Sequence, residues 1–254
     1  MPGSVQSIER AAAVLRLLAG GTGRLGCVEV ANSLGLAKGT AHGILRTLQE
    51  VGFVEQDRPT GKYLLGAGLL ALTVPRLDPN ELRSLALNWT DSLAARSGET
   101  VRLGVLDRGS VLVAHHGFRP DDSPQVLEVG ARRPVHACAM GKVLLAYDAA
   151  ATALALGRPL PAYTPRTVCT PGALTAALAQ VRRAGWAVEA EERAMGQAGL
   201  ACPVRDRGGL TVAAVGVTGS LERRCDASRA PRPALLSLVQ DAAMAIEREL
   251  AAGG

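Results

Sequence analysis

The sequence predicts an α+β protein with two domains, and three observations support this fold class. A length of 254 residues suits two modest domains better than one large core. Residues 26–66 have the pattern of a short helix, a glycine turn, a second helix and a β-hairpin. Beyond residue 79, stretches typical of strands alternate with helical stretches, which favours a separate mixed domain. A hydrophobic content of 48% indicates that the chain folds.

The N-terminal module begins with three predicted helices. The first spans about Ser7–Ala19 and ends at a run of glycines. The second covers Val28–Ser33, Gly35 supplies the turn, and the third covers Lys38–Val51. One face of the third helix is expected to pack inward, since apolar residues recur there at helical spacing: Ala41, Ile44, Leu45 and Leu48. Two helices across a tight turn are the arrangement that presents a helix to the major groove of DNA.

The outward face of the third predicted helix has an unusual composition. It carries Lys38, Gly39, Thr40, His42, Gly43 and Arg46. Each of the two glycines costs a helix about 1 kcal/mol relative to alanine, so we expect them where the backbone must approach DNA closely. His42 and Arg46 are candidates for base contacts, arginine to guanine being the commonest specific one. The alternative is an ordinary solvated helix face.

A β-hairpin follows, and then a short apolar segment. Phe53–Gln56 and Lys62–Leu65 read as the two strands of a wing, whose Arg58 and Lys62 would carry positive charge to the DNA backbone. Residues 66–78 read as a short helix stopped by Pro75, serving as a linker or a dimer contact. The predicted division is therefore a DNA-binding domain at 1–65, a linker helix at 66–78 and a second domain at 79–254.

The second domain is predicted to mix strands with helices. The predicted helices are Pro79–Ser97, Gly141–Tyr147, Pro171–Ala184 and Ala234–Leu250. The predicted strands are Thr100–Leu106, Val111–His115, Gln125–Val129, Trp186–Glu191, Gly199–Val204 and Leu210–Thr218.

Charge and cysteine content limit the possible functions of the protein but do not identify one. The net charge is +5, of which residues 1–70, with seven Lys/Arg and five Asp/Glu, hold +2. DNA affinity would therefore depend on the placement of charge or on two copies acting together. The five cysteines include no C-x-x-C pair, and we find neither a secretory signal nor an apolar run of about 18–20 residues. A reducing cytoplasm, with no membrane partner, is the expected compartment.

Several residues could be catalytic or could bind a metal, but the sequence favours a structural role for them. His115 and His116 are adjacent in a predicted strand, so they point to opposite faces and cannot easily chelate one ion. His136 and Cys138 would share a face of a strand, but no orienting group accompanies them. The Glu191-Glu192 pair reads as solvated carboxylates at a strand end, and as recognition groups if buried. The run from Gly196 to Gly199 suggests a strand turn more than a phosphate loop. We expect no catalytic residue, no metal and no cofactor.

Taken together, several motifs resemble the IclR family of bacterial transcription regulators over nearly the whole chain. They are the runs Ser7–Ala11, Gly61–Gly66, Gly98–Gly104, Gly130–Lys142, Glu191-Glu192 with Gly196, and Leu200–Val204. The resemblance implies a winged helix-turn-helix, a linker helix and a GAF-like (profilin-like) effector-binding domain. It also implies a dimer or dimer of dimers on near-palindromic double-stranded operator DNA. Gly39 and Gly43 stand where the common family pattern has Ser and Arg, which removes one candidate DNA contact.

The resemblance also implies an effector site. Carried over to this sequence, its residues are Ala139, Met140, Gly141, Glu189, Gly199, Gly216 and Thr218. Since Gly199 and Gly216 replace residues that are Cys and Ser in a small-acid sensor of the family, we expect a roomier pocket. Glu189 would repel a phosphate placed against it, and could instead accept hydrogen bonds from hydroxyl groups.

Within the family, the runs Leu36–Arg46 and Phe118–Ser123 are similar to the glycerol operon regulators of actinomycetes. This similarity implies a repressor of glycerol utilisation with glycerol 3-phosphate or glycerol as inducer. The alternatives are a regulator of aromatic or small organic acid metabolism and, for different classes of protein, an enzyme acting on a small acid or an adaptor that does not bind DNA.

Overall fold

The computed structural model describes residues 5–20, 24–66, 68–69, 78–121 and 123–252, and the chain divides into two compact units. Unit 1 is residues 1–75 and unit 2 is residues 76–254. The predicted linker helix at 66–78 falls largely outside the described residues, since 67 and 70–77 are not among them. The three-part division therefore stays a prediction.

Unit 1 has the predicted order of helices and hairpin strands. Its elements are α1 (Gln6–Ala19), α2 (Cys27–Ser33), α3 (Lys38–Glu50), β1 (Val54–Gln56) and β2 (Tyr63–Leu65). The strands pair antiparallel, with Val54 opposite Leu65. A small core joins all five elements through buried side chains: Val14, Leu18, Val30, Leu45, Leu48, Val54 and Tyr63. This core fixes the orientation of α3, whose inward face is Ala41, Leu45 and Leu48.

In the described part of unit 2, six antiparallel strands form a sheet. They are β3 (Thr100–Asp107), β4 (Ser110–Gly117), β5 (Arg132–Pro134), β6 (Ala187–Ala190), β7 (Gln197–Arg205) and β8 (Thr211–Ser220). Their order across the sheet is β5-β4-β3-β8-β7-β6. The two central strands of the sheet, β3 and β8, lie far apart in the chain. The early and the late part of unit 2 therefore contribute strands to the same sheet.

Helices cover both faces of this sheet. One face packs against α4 (Pro79–Ser97) and the long final helix α9 (Pro233–Ala252). The other packs against α5 (Ala139–Tyr147) and α7 (Pro171–Ala184), with α6 (Ala149–Leu156) beside α5 and a short α8 (Leu221–Arg224) after β8. Helix α4 is capped at its start by the Asp78 side chain, which accepts the Asn80 N–H at 2.9 Å, and it ends at Gly98 with φ of 66°.

One predicted strand of unit 2 is wrong. Residues 125–129 form no strand, and Val126 and Leu127 are 79% and 61% exposed. The edge of β4 is taken instead by residues 130–134: Gly130 N–H donates to Val113 O, Val113 N–H donates to Ala131 O, and β5 continues the pairing. Residues 125–129 are rich in apolar and β-branched side chains, as strands are, but this segment buries neither of its faces.

The sequence also failed to predict α6, whose alanine-rich turns follow the Asp148 N-cap. Among the described residues no single helix is long and apolar enough to cross a membrane. Helices α5 and α6 reach that length and composition only together, and they bend by 117° between them.

Candidate functional site

The outward face of α3 is open to solvent. Lys38, Gly39, His42, Gly43 and Arg46 are all exposed, and they follow one another at the spacing of a single helix face. Thr40, which flanks them, is half-buried. The structure therefore brings together on one face the α3 residues that the sequence singled out.

The two glycines of this face are not required by the fold. A Cβ atom added at Gly39 or at Gly43 would meet no atom within 4 Å. Neither glycine has a positive φ. Since each costs the helix about 1 kcal/mol relative to alanine, they lower stability without relieving any contact within the chain. The outward face of α3 therefore lacks two side chains that the fold itself could accommodate.

Arg46 is the largest cation on this face. Its Nε donates to Glu50 Oε1 at 2.9 Å, one helical turn on, and the two side chains are 73% and 60% exposed. An exposed pair at this spacing stabilises a helix by only about 0.3–0.5 kcal/mol. The guanidinium is therefore held along the helix by a partner that a stronger anion, such as a phosphate, could replace.

Hydrogen bonds within the hairpin tip position the predicted wing charges. Asp57 accepts hydrogen bonds from Thr60 Oγ1 at 2.6 Å and, through its carbonyl, from Gly61 N–H at 2.7 Å. Arg58 is exposed at this tip. Lys62 is half-buried, and its Nζ lies 3.8 Å from Glu29 Oε2 of α2. The wing and the helix preceding the turn are linked by this ion pair.

Four predicted effector residues converge on one face of the unit 2 sheet. Glu189 of β6 lies opposite Gly199 of β7, which in turn lies opposite Thr218 of β8. A Cβ built at Gly199 would lie 3.4 Å from Glu189 Oε2, 3.4 Å from Thr218 Cγ2 and 3.7 Å from Ala139 Cβ of α5. Gly199 therefore leaves space for no more than a methyl group between the sheet and the first turn of α5.

The remaining predicted effector residues are held by packing. A Cβ at Gly141 would overlap the backbone of Val135, and a Cβ at Gly216 would lie 2.9 Å from Ala201 Cβ. Met140 is buried and lies over Gly104 of β3. Gly216 thus allows two strands to approach closely, and the larger pocket expected from the two glycines stays a prediction.

Glu189 is the acidic group of this face and is 5% exposed. Its Oε1 accepts the backbone N–H groups of Glu192 at 2.7 Å and Arg193 at 3.0 Å. Burial raises the pKa of Glu189, and these two hydrogen bonds offset the rise only in part. Burial therefore disfavours the charged form of this carboxyl group, and its oxygen atoms are suited to hydrogen bonding with hydroxyl donors.

Three charged residues that the sequence pattern did not point to lie on the Thr218 side of these residues. Arg102 of β3 lies opposite Gly216, and its guanidinium donates to Thr218 Oγ1. Arg102 and Arg133 of β5 both form ion pairs with Glu128, which precedes β5. The available signal was an arginine in the middle of an apolar strand, since such a residue is buried only with partners.

The alternative metal and nucleophile sites do not assemble. His115 lies 3.7 Å from Asp91 of α4, whereas His116 stacks on Phe118, so the predicted opposite orientations are confirmed. In the part of the chain that the structure describes, no three His, Cys, Asp or Glu residues group as metal ligands would.

The expectation that His136 and Cys138 share a strand face is wrong, because residues 135–138 form bends that lead into α5. His136 Nε2 lies 2.9 Å from Pro161 O, and the Cys138 sulfur accepts Gly141 N–H at 3.3 Å as the N-cap of α5. Burial raises the pKa of the Cys138 thiol to about 11, so it is protonated at neutral pH and a poor nucleophile.

The expectation of solvated carboxylates at Glu191 and Glu192 is also wrong. Both residues are buried, Glu192 pairs with Lys142, and Glu191 pairs with Arg166 at 3.0 Å and Arg229 at 3.3 Å. They secure the turn between β6 and β7, where Gly196 has a φ of 72° and its N–H donates to Glu191. A strand turn rather than a phosphate loop is thus confirmed for Gly196.

A cleft of about 320 Å³ opens elsewhere in unit 2, among residues 221–232. None of the predicted effector residues lines it. Cysteine and arginine side chains of its wall are held by contacts within the fold, as when Arg232 donates to Glu222 O at 2.9 Å. The predicted effector residues therefore group around Gly199 and not at this cleft.

Comparison with known proteins adds a family and individual relatives. Residues 7–58 match the IclR helix-turn-helix domain, and residues 75–248 match the family described as bacterial transcriptional regulator IclR C-terminal. Over 253 residues, the chain is 54% identical to the glycerol operon regulatory protein of Streptomyces coelicolor and 53% identical to that of Streptomyces griseus. Each alignment covers 100% of this chain and 99% of the relative.

A solved structure supports the same fold across both units. It is an IclR homolog complexed with 4-hydroxybenzoate, from Microbacterium hydrocarbonoxydans. It matches with a TM-score of 0.61 and 27% identity, covering 96% of this chain and 98% of that one.

Proposed function

The chain belongs to the IclR family of bacterial transcriptional regulators, and we propose that it represses a glycerol-utilisation operon until a small-molecule inducer releases it from operator DNA. The observation that carries this proposal is the 54% identity, over the full length, to a glycerol operon regulatory protein. The inducer we propose is glycerol 3-phosphate or glycerol. Such a regulator acts in the bacterial cytoplasm, where the operator is.

The DNA contact that we propose is the outward face of α3 in the major groove, with the hairpin as a wing. The exposed Arg46 and His42 reach base edges, and Lys38, Thr40, Arg58 and Lys62 face the sugar-phosphate backbone. Gly39 and Gly43 let the α3 backbone approach the groove, which explains why the helix keeps two residues that cost it stability.

One copy of this module buries too little surface for useful affinity, so we propose a homodimer or a dimer of dimers on a near-palindromic operator. Two-fold symmetry doubles the contacts and compensates for a net charge of only +2 in residues 1–70. Residues 66–78 are the proposed connection between the DNA-binding and effector-binding parts.

We propose that unit 2 binds its effector without transforming it. The protonated Cys138 and the paired Glu191 and Glu192 leave no assembled nucleophile and base in the part of unit 2 that the structure describes. The effector acts by binding the DNA-free state more tightly. By linkage, operator DNA then weakens effector binding by the same factor as the effector weakens DNA binding.

A gel-shift titration tests the proposal. Purified protein is mixed with DNA from upstream of its own gene and of neighbouring operons, with and without glycerol 3-phosphate, glycerol, and a set of aromatic and small organic acids. We expect a specific shift that glycerol 3-phosphate or glycerol releases. A specific shift that only another compound alters would contradict the glycerol assignment, and no specific shift on any of these DNAs would contradict the proposed regulation of this locus.

A second candidate effector class is an aromatic or small organic acid. The likeness to an IclR homolog complexed with 4-hydroxybenzoate favours it, although that identity is 27% against 54% for the glycerol regulator. Release of the shifted DNA by 4-hydroxybenzoate and not by glycerol 3-phosphate would establish this alternative.

A further inference from the structure

Two guanidinium groups meet one carboxylate next to the candidate effector site. Arg102 is 13% exposed and Arg133 is 26% exposed, and both pair with Glu128. Arg102 also donates to Thr218 Oγ1, on the strand that lies opposite Gly199. The cluster therefore adjoins the site through Thr218, on the side away from the acidic Glu189.

The charges of this cluster do not balance. Two cations face one anion, so one positive charge is left over within the cluster. Burial alone would raise the pKa of Glu128, but the two guanidinium groups more than offset this and lower it. Glu128 is therefore ionised at neutral pH, and it acts as the counterion of both arginines.

His116 adds a hydrogen-bond donor without an acceptor. Its ring is 4% exposed, and its Nδ1 accepts the backbone N–H of Glu128 at 3.1 Å. Burial, reinforced by Arg102, lowers the pKa of His116, so the ring is neutral near pH 7. With Nδ1 an acceptor, the proton lies on Nε2, which is buried and has no hydrogen-bond partner among the described residues. A buried N–H donor of this kind is costly unless something accepts from it.

We propose that Arg102 and Arg133 form a binding site for the oxyanion of the effector, with the unpartnered His116 Nε2–H as a further donor, and that the Glu128 carboxylate occupies the two guanidinium groups until the effector displaces it. The anion is a phosphate or a carboxylate, since both fit two guanidinium groups and one N–H donor. This assignment deepens the proposed function and rests on it. It orients the effector: the anion lies toward Arg102 and the hydroxyl groups lie toward Glu189.

Displacement of Glu128 would have a structural consequence. The segment of residues 125–131 lies outside the strands, with Val126 and Leu127 exposed. Glu128 holds its middle inward through two ion pairs and the bond to His116. An arriving anion takes over the two guanidinium groups and frees the Glu128 side chain, while the Glu128 N–H stays bonded to His116 Nδ1. Occupancy of the site is thereby coupled to a change at the surface of unit 2.

Calorimetric titration of the full-length protein tests this proposal with four compounds: glycerol 3-phosphate, glycerate, inorganic phosphate and uncharged glycerol. The variant Glu128→Gln removes the competing charge while keeping the side-chain shape. We expect it to bind the preferred anion about tenfold more tightly than the natural protein, with glycerol binding unchanged. The comparison of glycerol 3-phosphate with glycerate decides between phosphate and carboxylate.

Two further variants guard against a folding defect. Asp107→Asn breaks the Arg132–Asp107 pair beside the same strand, and it should leave anion binding unchanged. Arg133→Gln, at the more exposed arginine, keeps Arg102 paired with Glu128 and should weaken anion binding at least tenfold. Glu128→Gln that folds, by circular dichroism, and binds no anion more tightly would overturn the proposal, as would Arg133→Gln that binds anions like the natural protein.

Failure of the inducer and failure of this site give different results. If glycerol 3-phosphate does not release operator DNA but Glu128→Gln tightens binding of glycerate or phosphate, the anion site stands and the inducer is wrong. If glycerol 3-phosphate releases DNA and its affinity is the same in Glu128→Gln, the inducer stands and the anion site is wrong.

Discussion

Glycines occupy both the outward face of α3 and the first turn of α5, but in opposite surroundings. At Gly39 and Gly43, added Cβ atoms would meet nothing, whereas at Gly141 an added Cβ would overlap the backbone of Val135. The charged residues differ in the same way: the Arg46–Glu50 pair is mostly exposed, and the Lys142–Glu192 pair is buried. Packing explains the glycines beside α5, whereas no contact within the described chain explains those on the face of α3.

The buried ion pair gives the largest expected contrast. Lys142→Met would leave Glu192 buried without its cation, which typically costs about 3–5 kcal/mol of stability. Burial already raises the pKa of Glu192 even with Lys142 present, so its charge depends on that partner. The free energy of unfolding should be measured in urea for Lys142→Met and for the double variant Lys142→Met/Glu192→Met, which should recover most of the loss. A loss below about 1 kcal/mol in the single variant would mean that the site is less constrained than its burial indicates.

The packing glycine gives the next largest effect. Gly141→Ala introduces a Cβ against the Val135 backbone, and overpacking of this kind costs about 1–3 kcal/mol. Gly172→Ala is the matched control, because Gly172 also lies in the first turn of a unit 2 helix and its added Cβ would meet nothing within 4 Å. Thermal unfolding should show a lower Tm for Gly141→Ala and an equal or higher Tm for Gly172→Ala. The same shift in both variants would contradict the distinction drawn between the two kinds of glycine.

Arg46 should affect DNA binding and not stability. Arg46→Ala removes a proposed base contact and is expected to weaken operator binding by about 1–3 kcal/mol, while the free energy of unfolding changes by less than about 0.5 kcal/mol. Glu50→Gln is the control, since it breaks the same ion pair but keeps the guanidinium. Fluorescence anisotropy on operator DNA should show tight binding for Glu50→Gln and weak binding for Arg46→Ala. Equal loss in both would assign the effect to the helix rather than to the contact.

The smallest expected effect concerns pH and Glu189. Because burial raises its pKa in the folded state, Glu189 stabilises the fold fully when pH lies below its ordinary pKa of 4.5, and this contribution is lost as pH rises through the raised value. Glu189→Gln keeps an oxygen acceptor and cannot ionise. As pH rises from about 4 to about 8, the free energy of unfolding of Glu189→Gln should increase relative to that of the natural protein. A difference that stays constant with pH would show that Glu189 is not destabilised by its surroundings.

The same contrast explains how much the sequence could predict. The helices and hairpin of unit 1 follow from local periodicity and from glycine at the turn, so they were predicted closely. The partners of Arg102 were not, because Glu128 and Thr218 meet it only through pairing of strands distant in sequence. Local pattern also cannot separate Gly199, which leaves space, from Gly216, which permits close approach of two strands. The strand-like composition of residues 125–129 led to a wrong prediction for the same reason, since residues 130–134 occupy the partner edge of β4.

The double variant Gly39→Ala/Gly43→Ala tests most directly the claim that the face of α3 is shaped for DNA. Thermal unfolding and operator binding should be measured on the same samples. Since alanine is favoured over glycine in a helix by about 1 kcal/mol and no atom obstructs either added Cβ, Tm should rise. Operator affinity should fall, because the added methyl groups hold the backbone away from the groove. An unchanged or higher operator affinity in a stabilised variant would contradict the account.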